Sequence, residues 1–292
     1  MATILDGKKT SAEIREELKQ QIGILREKGV IPGITGILVG EDPGSASYIR
    51  LKEKAANELG IYTEMLRLAE NTTESELLKE IDRLNSDSKV HGIFIQLPLP
   101  GHINENQALN AVLLDKDVDG FHPTNVGKAW LGQKAFLPAT PSGIYEILIR
   151  YGYNDFKGKN MVIVNVDNLV GKPLASIFVQ ENVGANVTLC NPSTPNLSDY
   201  TRRADIVVVA VDKPKFITAD MVKEGVIAID FGANYIEDPV EKKTKLVGDL
   251  DFDAIKEKAE AITPVPGGIG PMTVTMLLLN TVTAAKLATG LA

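Results

Sequence analysis

Tyr48 and Lys52 stand four residues apart in Ser45-Ala46-Ser47-Tyr48-Ile49-Arg50-Leu51-Lys52, so a helix through them brings both to one face, about a turn apart. An aromatic ring beside an amine can hold a flat ligand, and the amine can move a proton. Taken alone, the pair also describes an exposed lysine beside a half-buried tyrosine. Two other stretches shift that balance. One is Gln96-Leu97-Pro98-Leu99-Pro100-Gly101, which ends an apolar run. The other is Thr263-Pro264-Val265-Pro266-Gly267-Gly268-Ile269-Gly270-Pro271-Met272-Thr273-Val274. Its glycines and prolines give a stiff loop whose backbone can approach a partner closely, more than a plain turn requires. Between them, the aspartates of Asp115-Lys116-Asp117-Val118-Asp119-Gly120-Phe121-His122-Pro123 fit an ordinary solvated turn.

The elements that must position these groups alternate. Ile14, Leu18, Ile22 and Leu25 at helical spacing predict an amphipathic helix over 9–28. The apolar run 34–40 predicts a strand. The acidic turn Glu41-Asp42-Pro43-Gly44 then leads into the Tyr48–Lys52 helix, with Ser45 or Ser47 as N-cap and Gly60 as C-terminal cap. Strands are expected at 61–66 and 90–97, separated by a helix that opens with capping-box character at Thr73-Glu74-Ser75-Glu76. Parallel α/β sheets bind ligands beyond the carboxyl ends of their strands, and Lys52 and Gln96 both fall at such ends. Residues 104–114 read as helical. Pro138-Ala139-Thr140-Pro141-Ser142-Gly143 marks a break, with Pro141 in the first turn of a helix reaching about Tyr151.

Beyond Lys159 the alternation restarts. Strands are expected at 161–165, 186–190, 205–211, 226–231 and near 262–263, with helices at about 172–182, 219–224 and 251–260. The first of these strands passes through Asn165-Val166-Asp167-Asn168-Leu169-Val170-Gly171-Lys172-Pro173 into a helix. That is the layout of a nucleotide-binding βαβ unit, in which a helix N-terminus faces phosphate, although G-x-G-x-x-G is absent. A last helix starts at Pro271, with Val274, Met276 to Leu279 and Val282 on its apolar face.

Composition narrows the function classes. The 292 residues suffice for two domains with cores of their own. A net charge of −7 without basic runs argues against nucleic-acid binding. No apolar stretch is long enough to span a membrane, and the N-terminus lacks the basic and apolar regions of a signal peptide. A single cysteine, Cys190, rules out an intrachain disulfide and fits a reducing cytoplasm; it reads as a small apolar residue ending a strand. His91, His102 and His122 show no metal-ligand spacing, and no metal is expected.

Together these stretches resemble the bifunctional methylenetetrahydrofolate dehydrogenase/cyclohydrolase (FolD) family along essentially the whole chain. The resemblance is carried by VGEDPGSASYIRLKEKA (39–55), QLPLP (96–100), KDVDGFHPTNVGK (116–128) and PGGIGPMTV (266–274). It implies an α/β fold of two domains with a cleft between them. An N-terminal folate-binding catalytic domain would span 1–138 and be closed by a C-terminal helix over 277–292; a Rossmann-like NAD(P)-binding domain would span 139–276. It implies oxidation of 5,10-methylenetetrahydrofolate to the 5,10-methenyl form and hydrolysis of that to 10-formyltetrahydrofolate, in a homodimer. Lys52 takes the place of the family's catalytic lysine, while Lys54 falls out of the Tyr-x-x-x-Lys spacing and is expected at the surface. Gln96 matches the glutamine that tunes the lysine, and Asp119 the aspartate that pairs with the pterin edge. Tyr48 would stack on the folate; Leu97, Pro266, Gly267, Gly268 and Gly270 would line the same cleft.

On the cofactor side the chain departs from the family. Asn165-Val166-Asp167 replaces the usual Gly-Arg-Ser, and Asn191-Pro192 the His-Ser that follows the cysteine. Gly232-Ala233-Asn234 replaces Gly-Ile-Asn, and Val211-Asp212-Lys213 a glycine-containing turn. The resemblance places the cofactor near Asn165, Val166, Asp167, Asn191, Ser193 and Ala233. The missing arginine and serine are phosphate contacts in NADP-using members, so contacts favour NAD where the family default is NADP. Three readings follow: NAD with Asp167 or a neighbour on the ribose hydroxyls, NADP held instead through Ser193, Thr194, Arg202 or Arg203, or a cyclohydrolase with weak or lost dehydrogenase activity. A non-catalytic folate-binding module is opposed by Lys52, which binding alone does not need. A dehydrogenase acting on another small molecule is opposed by the PGGIGPMTV, QLPLP and DVDG strings.

Overall fold

The computed structural model describes residues 1–40, 43–237 and 244–291, so the acidic turn expected at Glu41-Asp42 lies outside the described residues. The chain runs β1 (Thr3–Ile4), α1 (Gly7–Glu27), β2 (Gly33–Val39), α2 (Pro43–Leu59), β3 (Tyr62–Leu68), α3 (Glu74–Ser86) and β4 (Gly92–Ile95). It continues through α4 (Glu105–Ala111), α5 (Pro123–Trp130), α6 (Ala139–Arg150), β5 (Asn160–Val164), α7 (Gly171–Phe178), β6 (Asn186–Cys190), α8 (Leu197–Thr201) and β7 (Ile206–Val209). It closes with β8 (Ile227–Asp230), β9 (Asn234–Glu237), β10 (Thr244–Val247), α9 (Phe252–Lys256), β11 (Ala261–Ile262) and α10 (Ile269–Ala288). Two compact units result: Met1–Ser11 with Trp130–Gly132 and Thr140–Thr273, and Ala12–Ala129 with Gln133–Ala139 and Val274–Ala292.

The unit built on residues 12–129 holds a parallel sheet in the order β3-β2-β4. Every residue of β2 is buried, as a central parallel strand covered on both faces requires. Ile37 and Val39 on β2 and Ile93 and Ile95 on β4 pack with Leu77, Ile81 and Leu84 of α3. Thr73 caps α3 in the expected box: its Oγ1 accepts from Glu76 N, and the Glu76 carboxylate accepts from Thr73 N at 2.8 Å.

The other unit holds a six-stranded parallel sheet ordered β1-β11-β8-β7-β5-β6. This is the Rossmann-like arrangement that alternation predicted: β5 lies next to the β6 edge, and the strand order reverses there, with β6 on one side of β5 and β7 on the other. Its core is Val162 and Val164 of β5, Val207 and Val209 of β7, Ala228 of β8 and Ile262 of β11. Cys190 ends β6 and is buried in that core, as a small apolar residue.

The differences from the sequence reading are local. The helix carrying Tyr48 starts at Pro43, ahead of both Ser45 and Ser47, so neither serine is its N-cap; proline suits a first helical turn because its missing N–H would be unbonded there anyway. The last helix likewise begins at Ile269, two residues before Pro271. The helix expected at 172–182 ends at Phe178, and the one expected at 219–224 is a single 3-10 turn, Ala219–Met221. Short elements with no periodicity to detect were not foreseen: β1, α5, α8 and the β9–β10 hairpin. β1 pairs with β11, which joins Met1–Ser11 to the six-stranded sheet although those residues were expected with the first domain.

Candidate active site

Lys52 lies on the inward face of α2 and is only 7% exposed. Its Nζ donates to Gln96 Oε1 at 3.4 Å and sits 5.2 Å from the centre of the Tyr48 ring and 4.1 Å from that of Phe94. Burial lowers the lysine's pKa, and the nearby charge of Asp119 opposes that shift. Gln96 leaves β4 half-buried, its amide nitrogen donating to Leu97 O at 3.0 Å, which fixes the oxygen toward the lysine. Leu97 is half-buried beside it. Lys54, by contrast, has a side chain 76% exposed and pairs loosely with Glu58.

The aspartate loop is not a solvated turn. Asp117 and Asp119 are 4% and 8% exposed, while Asp115 faces solvent. Their roles divide. The Asp117 carboxylate accepts from Phe121 N (3.2 Å), His122 N (2.9 Å) and Asn125 Nδ2 (2.8 Å), so it staples the loop to the start of α5. Asn280 on α10 grips the loop from another side, donating to Val118 O at 2.8 Å and Leu137 O at 3.0 Å. Gly120 has φ +72°, and a Cβ there would lie 2.6 Å from Phe136 O, so a side chain at this position would push the loop off its neighbour. Asp119, held between these anchors, has no hydrogen-bond partner among the described residues. Burial pushes its carboxyl up to about 6, against the pull of Lys52 and with a further push from Asp117.

The unit thus brings together Tyr48, Lys52, Gln96 and Asp119: a neutralisable amine, its orienting amide, a flat ring and a buried carboxylate with unused acceptors. A planar ligand carrying N–H donors meets complementary chemistry there. Sequence reasoning missed Phe94, Asp117, Asn125 and Asn280. The first reads as core in an apolar run and the last as an interruption of an apolar helix; the DVDG string gave no means of telling its two aspartates apart.

Pro266, Gly267, Gly268 and Gly270 belong to the other unit. There Gly267 O accepts from Lys8 N at 3.0 Å, and Gly268 O lies so near Gly7 that a Cβ on Gly7 would overlap it. Part of the glycine string therefore serves close packing against the first turn of α1; nothing crowds Gly270.

In that same unit the residues assigned to the cofactor cluster at the carboxyl ends of β5, β6 and β8. Asn165 ties β5 to β7, donating to Ala210 O at 2.8 Å, and its Oδ1 accepts from Asp167 N and Gly171 N. Asp167 accepts from Leu169 N at 2.8 Å and Val170 N at 2.7 Å. The backbone donors that lead into α7 are thus occupied by side chains of the loop itself. Val166 and Leu169 project 39% and 36% exposed above the strand ends. Asn191 Oδ1 accepts from Ser193 N at 2.8 Å, and the Ser193 side chain is exposed. Ala233 N donates to Asp212 Oδ1 at 3.1 Å. Behind these loops, buried Asp249 accepts from Val211 N, Asp212 N, Lys213 N and Asn234 Nδ2 at 2.6–3.1 Å.

A family model described as tetrahydrofolate dehydrogenase/cyclohydrolase, catalytic domain, matches residues 5–119. The model for the NAD(P)-binding domain of the same family matches 138–289. A bifunctional protein FolD of Dehalococcoides mccartyi is 53% identical over 99% of both chains. The crystal structure of the Campylobacter jejuni bifunctional FolD, methylenetetrahydrofolate dehydrogenase/cyclohydrolase, superposes with TM-score 0.94 at 47% identity, covering 98% of this chain and 99% of that one. The Trypanosoma brucei dehydrogenase-cyclohydrolase, complexed with NADP cofactor and inhibitor, superposes with TM-score 0.93 at 36% identity over 99% and 98% of the two chains. Both halves of the sequence, and the Rossmann-like sheet with them, place this chain in the tetrahydrofolate dehydrogenase/cyclohydrolase family.

Proposed function

We propose that Lys52 is the acid/base of the hydrolytic half of a two-step folate interconversion, with Gln96 orienting it and Asp119 holding the pterin edge. The chain is a bifunctional enzyme: it oxidises 5,10-methylenetetrahydrofolate to the methenyl form and hydrolyses the latter to 10-formyltetrahydrofolate. The observation that carries the assignment is the burial of Lys52 against Gln96 Oε1 in the field of Asp119. Burial favours the neutral amine, the form that can take a proton from the water that adds to the methenyl carbon. The same proton then goes to N5 as the carbon–N5 bond breaks, and the net proton of the hydrolysis leaves to solvent. With its pKa at about 6, Asp119 is mostly ionised at neutral pH and accepts from pterin N–H groups. Tyr48 lies beside the amine, where a stacked ring would bring a folate over it. Lys52→Met should abolish hydrolysis of the methenyl compound in the absence of nucleotide; full retention would overturn the assignment.

For the oxidative half the cofactor is a nicotinamide dinucleotide, and we infer NAD rather than NADP. A bound nicotinamide supplies the hydride acceptor, and the protein's part is positioning. The donor set suits a dinucleotide without a 2′-phosphate. Val166 and Pro192 stand where cationic and hydroxyl phosphate contacts were expected, and the two arginines among the substitutes already hold backbone carbonyls. Arg202 Nε donates to Asp220 O at 2.7 Å and Arg203 Nε to Asp199 O at 2.8 Å. The exposed Asp167 adds negative charge at the loop. Loss of a charge-assisted phosphate contact lowers kcat/KM for NADP roughly 10- to 100-fold relative to a site that keeps it, which removes the advantage of the phosphate. A dehydrogenase assay with each nucleotide decides it: equal or better turnover with NADP overturns the inference.

The partner we infer is a second copy of the chain. β6 is an edge strand of the six-stranded sheet, contains no charge or proline and leaves Leu189 37% exposed. Unprotected edges of this kind pair with another strand, and self-pairing about a two-fold axis satisfies both copies at once. Among the described residues no helix is long and apolar enough to cross a membrane, and a lone buried cysteine suits a reducing cytoplasm.

A further inference from the structure

Beneath the Lys52 ammonium lies the ring of Phe94, fully buried on β4 and 4.1 Å from Nζ to ring centre, closer than Tyr48 at 5.2 Å. The ring has room because of what is missing opposite it. β4 and β2 are neighbours with Gly36 aligned to Phe94, and a Cβ on Gly36 would fall against the far edge of that ring and 2.7 Å from Met65 Sδ. No side chain larger than hydrogen fits at 36 unless the Phe94 ring is displaced from its seat. A glycine in the middle of a central strand is otherwise a loss, since it weakens the strand and packs nothing. Here it opens a notch in the sheet that seats an aromatic face under a buried amine.

We propose that Gly36 and Phe94 form one device, a ring seated in a notch of the sheet, that positions the Lys52 amine and supports its protonated form. This rests on the reading of Lys52 as the acid/base of hydrolysis. Other groups facing the amine cannot replace the ring. Gln96 offers a neutral oxygen at 3.4 Å. Asp119 acts as a charge without an ion pair among the described residues, with Asp117 behind it. Tyr48, on the lysine's own helix, is farther away. An aromatic face attracts a desolvated ammonium and leaves the neutral amine indifferent. The ring therefore raises the proton affinity that burial lowers. The hydrolytic cycle needs both forms, so the amine must be able to take a proton and then hold it long enough to deliver it.

The test is a titration of Lys52 itself, by carbon-13 NMR of lysine-labelled full-length protein, with Lys52→Met identifying the signal. In Phe94→Leu the midpoint should move down by roughly 0.4 to 1.5 pH units, the range a cation–ring contact is worth. Gly36→Ala should move it too, because the displaced ring no longer seats under the amine. In the double variant the added methyl occupies space that leucine leaves empty, so Gly36→Ala should add little to Phe94→Leu. An unchanged midpoint in Phe94→Leu overturns the proposal even if Gly36→Ala fails to fold; additive shifts overturn the coupling between the two residues. The pH profile of methenyl hydrolysis is read on the same samples. If the NMR midpoint moves and the profile does not, the ring-and-notch device stands and the acid/base assignment of Lys52 falls.

Discussion

Asp119 is buried, ionisable and without a hydrogen-bond donor among the described residues, and that combination has a cost measurable without substrate. Its carboxyl is raised from 3.8 to about 6, so the folded state holds the proton more tightly than the unfolded one. The stability tied to that proton is complete below about pH 3.8 and is lost as pH rises through about 6. Asp230, raised to about 6 by burial, works in the same direction. Asp119→Asn should therefore raise Tm at pH 8, by an amount equivalent to at most ~3 kcal/mol, and should change it little at pH 4. Calorimetry at the two pH values checks this; equal shifts at both would refute the linkage. Thr35 makes a second such case. Its hydroxyl is buried in β2 without a hydrogen-bond partner among the described residues, so Thr35→Val, equal in shape, should stabilise by about 1 kcal/mol in chemical denaturation. At this scale the sequence was readable where spacing carried the information. Tyr48 and Lys52 declared themselves by a four-residue interval, but Phe94 could not, since a phenylalanine inside Gly-Ile-Phe-Ile differs from any core residue only through what lies opposite it.

At the scale of elements, alternation of apolar runs and helical spacing revealed the parallel sheets, because buried parallel strands need continuous apolar sequence. It did not reveal what anchors the loop between α4 and α5. That depends on Asp117, which looks identical to Asp119 in sequence, and on Asn280, which comes from an apolar helix far along the chain. Asn280→Leu would strip two carbonyls, those of Val118 and Leu137, of their donor. A loss of about 2 to 4 kcal/mol is expected, with a larger fall in folate affinity than in nucleotide affinity. Equal losses of both would show a general destabilisation rather than a displaced Asp119 loop. The loop after β5 has the strand–loop–helix layout of a nucleotide site, and in it Asn165 and Asp167 accept from the backbone donors that lead into α7. A pattern of strand, loop and helix does not say which donors remain free.

For the whole molecule, the domain reading from sequence lacked β1, a two-residue strand too short to leave any periodicity. Its pairing with β11 makes the six-stranded sheet depend on both early and late residues. The edge on the other side is β6, and Thr188→Lys, which places a charge on that edge, should convert a dimer in sedimentation velocity to monomer without unfolding it. A native chain that sediments as a monomer would remove the inferred partner altogether.

The Asn280 grip has a further consequence for how the enzyme comes into being. On the ribosome the strand that carries Gln96 and the loop that carries Asp119 emerge early, yet the side chain that ties this loop down lies 162 residues after Val118. Until α10 has been synthesised, that segment lacks its clamp, and a nascent protein can hold much of its first sheet with the Asp119 loop still untied. The loop that carries Asp119 is thus clamped only after α10 has been made, so a chain that stops short of Asn280 would hold the carbonyls of Val118 and Leu137 without this donor.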